Sequence, residues 1–280
     1  MSTDRTVLAG PAHRWRLTPL LLGSLLLHVA MLLLAALQWS LWPWALAALL
    51  ADHIVLFALG LVPRSRALGS NWTRLPEPAG ARGSVAITID DGPDPEVTPQ
   101  VLRILAEHGA QATFFCIGER VERYPALVRD CVRAGHAVEN HTFHHRRSFA
   151  LLGWRQLRRE LEQAQRHIGE LAGTPPRFFR APAGLRSPLL DPLLQRLGLQ
   201  LASWTRRGFD TVSVDADRIL TRLARDLSAG DILLLHDGHC ARSADGEPVV
   251  VEVLPRLLTL LAQRGLRTVT LRQALPDAGP

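Results

Sequence analysis

From residue 85 to residue 271, short apolar and β-prone runs recur between longer amphipathic stretches, and no other feature of the chain narrows its possible folds as far. The runs fall at 85–89, 113–117, 136–139, 177–179, 199–204, 232–235 and 267–271. Most intervals between them carry apolar residues at helical spacing, at 99–108, 125–134, 154–171, 188–197, 216–227 and 249–264. Strands alternating with helices predict a parallel α/β sheet or barrel, in which functional groups gather at the C-terminal ends of the strands.

Two earlier runs, 17–37 and 41–62, are almost wholly apolar. Each is close to the roughly 20 residues of a spanning helix. Only Gln38, Trp39 and Ser40 separate them, which predicts a transmembrane helical hairpin, with Trp15, Trp39, Trp42 and Trp44 near the interfaces. Arg14 and Arg16 precede the pair and Arg64 and Arg66 follow it. The positive-inside rule then gives a multi-pass protein of a bacterial-type inner membrane, with its globular part cytoplasmic. The competing reading takes the first run as a signal anchor or cleaved signal and exports the domain, but Ala35 and Ala36 lead into Leu37, Gln38 and Trp39, a poor cleavage site. His28, Asp52 and His53 lie inside the spans, where such residues mostly pair within a bundle, and they are given no chemistry.

The chain thus divides into an anchor over 1–66, a linker over 67–83 rich in Gly and Pro (Gly69, Pro76, Pro78, Gly80, Gly83), and one globular domain over 84–275. Its 280 residues leave no room for a second large domain. The formal charge of +6 comes from arginine alone, scattered along the chain without lysine, which argues against a nucleic-acid partner. Cys116, Cys131 and Cys240 lie far apart, and their odd number excludes a fully intramolecular disulfide framework.

Four strand ends carry polar clusters. The first is Thr88-Ile89-Asp90-Asp91-Gly92-Pro93, whose adjacent carboxylates point different ways, so that one can bind a metal while the other reaches a water. Alone, this string reads as a turn with a side-chain cap. The second, Asn140 to His145, sets His141 and His145 four apart, where a helical turn brings both to one metal, with His144 competing for the second place. A metalloprotease H-E-x-x-H does not fit, because Thr142 stands where the glutamate belongs. The third is Phe179 to Gly184, containing Arg180, and the fourth is Leu234-Leu235-His236-Asp237-Gly238. His236, ending an apolar strand, suits a general acid if a carboxylate such as Asp210 keeps it protonated.

In this order the strings resemble the polysaccharide deacetylase family, also called the NodB-homology or carbohydrate esterase 4 family, over about residues 84–272. The family's T-F-D-D-G-P matches Thr88 to Pro93, with Ile89 for phenylalanine; its H-[ST]-x-x-[HD] matches His141 to His145. Its R-x-P-x-G matches Arg180 to Gly184, and its L-x-H matches Leu234 to His236. The resemblance implies an irregular (β/α) barrel and a hydrolase that removes an N-acyl group, in the first place acetyl, from an amino-sugar-containing carbohydrate or lipid-linked saccharide. It implies Asp91, His141 and His145 as ligands of a divalent cation, zinc by ligand type, with cobalt, nickel or manganese able to take the same place. Asp90 becomes the base, His236 the acid, Arg180 the residue that orients Asp90, and Asp210 the partner of His236. The Ala183 N–H becomes the oxyanion donor, with Leu234 and Trp204 beside the substrate.

The chain departs from the family at Ala183, where many members have tyrosine, and at Arg207 and Thr211, aligned with an aspartate and a tryptophan. Losing two rings removes stacking faces for a polymer, which points to a lipid-linked or small amino sugar with acetyl or formyl as the leaving group. A deformylase, an O-deacetylase, or an inactive sugar-binding membrane protein are the alternatives.

Overall fold

The computed structural model describes residues 16–77, 79 and 82–275. Arg14 and Trp15, and Pro78 and Gly80 of the connecting stretch, lie outside the described residues.

The first apolar run forms α1 (Pro19–Leu37) and the second α2 (Trp42–Gly60). Thr18 caps α1: its Oγ1 accepts the Leu21 N–H at 3.2 Å and donates to Ala67 O at 2.7 Å. Pro19 and Pro43 sit in the first turns, where a missing N–H costs nothing. The helices lie side by side, with Ser24 Oγ donating to Asp52 Oδ2 at 2.6 Å and the His28 and His53 rings 5.2 Å apart. Leu22, Leu26, Leu33, Ile54 and Phe57 remain exposed around them. Both helices are long and apolar enough to cross a membrane, by length and composition.

The alternating part folds as a parallel-sheet half-barrel of α/β type. Its strands are β1 (Ser84–Asp90), β2 (Ala112–Cys116), β3 (Ala137–Asn140), β4 (Phe178–Phe179), β5 (Gln200–Leu201), β6 (Arg206–Arg207), β7 (Ile232–His236) and β8 (Arg267–Thr268). They run in the order β5-β4-β3-β2-β1-β7-β6, with β8 beside the start of β1, and these ladders are parallel. Its helices are α3 (Val97–Glu107), α4 (Gly118–Arg123), α5 (Pro125–Arg133), α6 (Trp154–Ala172), α7 (Leu190–Arg196), α8 (Ala216–Ala224) and α9 (Val249–Gln263).

The period of two along each strand decides what reaches the interior. Val85, Ile87 and Ile89 of β1 and Leu233 and Leu235 of β7 pack with Val101 and Leu105 of α3 and Val253 and Leu257 of α9. Each such side chain withdrawn from water contributes roughly 1.5–3 kcal/mol, enough to hold the helices on the sheet. The alternate residues face inwards: Ala86, Phe115 and Ile232 form a separate cluster with Phe178 and Leu271. Continued to the strand ends, the same alternation turns Asp90, Leu234 and His236 into an interior cavity.

The segment after α2 is part of this wall. Trp72 forms a parallel bridge to Ala202, beyond β5, and Arg74 an antiparallel bridge to Asp231, before β7. Thr205 Oγ1 donates to Thr73 O at 2.6 Å. Residues 72–74, inside the stretch read as linker, thus span the gap in the half-barrel.

Candidate active site

Asp90 ends β1, and Asp91 follows with φ 74°, a left-handed turn that sends the second carboxylate off the strand's alternation. Asp90 Oδ1 accepts from Arg180 Nη1 at 2.6 Å. Arg180 follows β4 and is 1% exposed, so its charge has to be satisfied by protein groups. The same nitrogen donates to Thr88 Oγ1 at 2.7 Å, Nε to Ala202 O at 3.2 Å and Nη2 to Ser203 O at 2.7 Å. The guanidinium also lies 4.1 Å from the centre of the Phe115 ring. With Oδ1 occupied, Asp90 Oδ2 stands 3.9 Å from His141 Nε2.

The histidine loop after β3 does not turn helically, which corrects that expectation. Thr142 and His145 have φ of 66° and 50°. Side-chain oxygens take the N–H groups a helix would use: Asn140 Oδ1 accepts from Thr142 N at 3.0 Å and Thr142 Oγ1 from His145 N at 2.9 Å. Glu160, buried on α6, accepts the N–H groups of Phe143 and His144 at 3.1 and 2.9 Å. It also holds His144 Nδ1 at 2.8 Å, which keeps His144 out of the cluster. His141 and His145 instead converge, each with Nε2 3.2 Å from Asp91 Oδ1. His141 Nδ1 donates to Arg180 O at 2.8 Å, leaving Nε2 for the cluster.

Electrostatics follow from this packing. Burial raises the Asp91 pKa, but hydrogen bonds from His141 and His239 and the pull of His141 and His145 outweigh it and hold the carboxyl well below its usual range. Burial, helped by His141, lowers His145 to about 4. His236, the last residue of β7, is lowered by burial but raised more by Asp210, ending at about 9. Asp210 is fully buried; its Oδ1 lies 2.9 Å from His236 Nδ1 and its Oδ2 accepts the His236 N–H at 2.7 Å.

These groups meet in a cavity of about 610 Å³ lined by Asp90, Asp91, His141, His145, Ala183, Trp204, Leu234 and His236. Arg180 and Asp210 stand behind the wall and reach it through Asp90 and His236. The sequence-predicted residues therefore converge on one place. Missing from that prediction is His239, whose Nδ1 is 3.1 Å from Asp91 Oδ2. Only Gly fits between them at 238, since a Cβ there would lie 2.2 Å from Asp91 O. Glu160 was missed as well, although a carboxylate among the buried Leu157, Leu161, Ala164 and Ile168 of α6 was a signal.

The half-barrel thus offers, at its strand ends, paired carboxylates, one of them pinned by a buried arginine, and a buried histidine held by a carboxylate. The polysaccharide deacetylase family model matches residues 78–202. A peptidoglycan-N-acetylglucosamine deacetylase of Bacillus cereus is 34% identical over 193 residues, covering 68% of this chain and 87% of that protein. A chitooligosaccharide deacetylase of Azorhizobium caulinodans is 37% identical over 158 residues, 56% of this chain and 75% of the relative. A solved peptidoglycan N-acetylglucosamine deacetylase matches with a TM-score of 0.66 at 28% identity, covering 73% of this chain and 92% of that one. The chain belongs to the polysaccharide deacetylase family, and it is a hydrolase of carbon–nitrogen bonds other than peptide bonds.

Proposed function

We propose that this enzyme removes the N-acetyl group from an amino sugar within a carbohydrate or glycolipid. The observation that carries the reading is the cluster of Asp91, His141 and His145, with ligand atoms within 4.8 Å of one another, set beside the pinned Asp90. Donors about 2.1 Å from one tetrahedral ion stand about 3.4 Å apart, and both histidine contacts to Asp91 measure 3.2 Å. The donor set therefore fits a divalent cation, zinc by type, with cobalt, nickel or manganese as chemical equivalents. When bound, that cation polarises the amide carbonyl and lowers the pKa of water at the site.

The chain's own residues do the rest. Asp90, oriented by Arg180, takes the proton of the attacking water through Oδ2. The N–H of Ala183 faces the oxygen on which charge develops. His236, held at Nδ1 by Asp210, gives the Nε2 proton to the departing nitrogen as the carbon–nitrogen bond breaks, so acetate and a free amine leave. Leu234 and Trp204 pack beside the acyl group and the ring. Residues 84–275, closed by the wall segment 72–74, form the catalytic unit, and α1 and α2 form its two-helix anchor. Arg16, Arg64 and Arg66 favour placing both ends of that anchor on the cytoplasmic side of an inner membrane.

Acetate release by the full chain in detergent, from N-acetylglucosamine oligomers and peptidoglycan fragments with zinc supplied, tests the reaction. Release that disappears in Asp90→Asn is expected; no release from any amino sugar overturns the reading. A C-terminal reporter tests the side of the membrane.

A further inference from the structure

The cavity wall carries more positive charge than deacetylation requires. Besides the catalytic groups it is lined by Arg120, Arg123, Arg147 and Arg207, against Glu119 as the one acid not engaged by Arg180 or the histidines among its described lining residues. Arg120 is partly committed, with Nη1 3.5 Å from Asp94 and Nη2 3.3 Å from His239. Arg123, Arg147 and Arg207 have no carboxylate partner among the described residues. Arg207 is half-buried, and its Nε is buried with no hydrogen-bond partner. Its guanidinium is fixed in place by rings, 4.8 Å from the Phe209 centre and 5.5 Å from that of Trp204.

The same wall leads to the helix pair. Trp204 stands between Arg207 and Gly184, where an added Cβ would lie 2.7 Å from the tryptophan ring and 2.6 Å from Pro63. Pro63 follows α2 by three residues. The end of α2 is tied to the same loop, with Arg186 N donating to Gly60 O at 3.1 Å and Arg64 Nη1 to Thr205 O at 3.2 Å. The Arg207–Trp204 wall is therefore continuous with the foot of α2.

We propose that the substrate is an amino sugar carrying a phosphate ester, bound by Arg207 with Arg123 and Arg147 at the rim, and that a lipid-linked phosphate is its physiological source. The proposal rests on the deacetylase reading. Several unpaired guanidiniums around one cavity repel one another, and a multiply charged, oxygen-rich phosphate relieves that repulsion more fully than one carboxylate. The contact of Arg207 with two rings also gives a reason for arginine at this position: it presents a planar donor fork beside the sugar.

Full-length enzyme in detergent is compared on four N-acetylglucosamine compounds: an isoprenyl phosphate, a neutral isoprenyl glycoside of equal length, the soluble 1-phosphate, and the neutral oligomer. Both phosphates are expected to exceed their neutral counterparts in kcat/KM by tenfold or more, and the isoprenyl phosphate to exceed the soluble one. Arg207→Gln is expected to shrink the phosphate-to-neutral ratio about tenfold, mainly through KM, and Arg207→Lys to restore part of it. Binding of the two isoprenyl compounds to Asp90→Asn enzyme gives the same comparison without turnover. Acetate release with equal kcat/KM for phosphate and neutral compounds, or a ratio unmoved in Arg207→Gln, overturns the phosphate assignment and leaves the deacetylase reading standing. No release from any of the four, with no phosphate preference in binding, overturns both. Equal use of the two phosphates overturns the lipid source.

Discussion

Among the described residues two groups unite one aspartate with two histidines, Asp91 with His141 and His145 in the half-barrel and Asp52 with His28 and His53 in the helix pair. In the half-barrel distant groups orient two of the members, His141 through Arg180 O and Asp91 through His239, while Thr142 Oγ1 sets the backbone of His145. In the helix pair the histidines satisfy themselves locally, each Nδ1 bonding a carbonyl four residues back, Ser24 O and Leu49 O, at 2.8 Å. Asp52 accepts from Ser24, and its contact with His28 is 3.9 Å, against 3.2 Å for the Asp91 contacts. Equal composition thus gives a preorganised candidate metal site in one place and a helix-to-helix clasp in the other.

The comparison breaks most easily through metal content. Asp91→Ala is expected to lose the bound metal and reduce kcat/KM by about a thousandfold or more, whereas Asp52→Ala keeps the metal-to-protein ratio of the parent; metal analysis of both variants decides it. Removing the support behind the site comes next. Arg180→Met leaves Asp90 buried without its counter-charge and is expected to cost about 3–5 kcal/mol, read as a fall in Tm of the detergent-solubilised chain. Glu160→Gln, which loosens the loop carrying His141 and His145, should weaken metal affinity by roughly 10–100-fold in a chelator competition.

His236 sharpens the contrast through pH. As the proposed acid it would work only when protonated, so activity is expected below its pKa of about 9 and lost as pH rises through it. Asp210→Asn removes the carboxylate that opposes burial, and the alkaline limb of the pH–kcat profile should move down toward 6.5 or lower. The smallest effect belongs to the clasp: Ser24→Ala should cost about 0.6 kcal/mol in unfolding of the helix pair, with metal content unchanged.

The sequence carried the strand ends well because alternation along β1 and β7 is local: with Val85, Ile87 and Ile89 outward, Asp90 has to face in. It carried the histidine loop only in part. Spacing selected His141 and His145, but the competition of Asn140, Thr142 and Glu160 for backbone N–H groups depends on α6 docking against the loop. His239 was hidden for the same reason, since its approach to Asp91 joins loops from opposite parts of the chain. The rim arginines looked like compositional scatter because nothing linear relates Arg123 on α4 to Arg207 on β6. The Gly- and Pro-rich composition before residue 84 read as linker, while the bridges of Trp72 and Arg74 are made to strands more than a hundred residues away.

That closing segment has a mechanical consequence. Trp72 is already built into the wall of the half-barrel, and between Gly60 and Trp72 the chain is tied down at Pro63, Ser65 and Ala67 by Asn71, Arg186 and Thr18. The cavity is therefore a rigid fixture on the helix pair and not a bead on a tether. With those helices in a bilayer, as proposed, its mouth keeps one height and one bearing, and substrate arrives by a two-dimensional search in which lateral diffusion, not reach, sets the encounter rate.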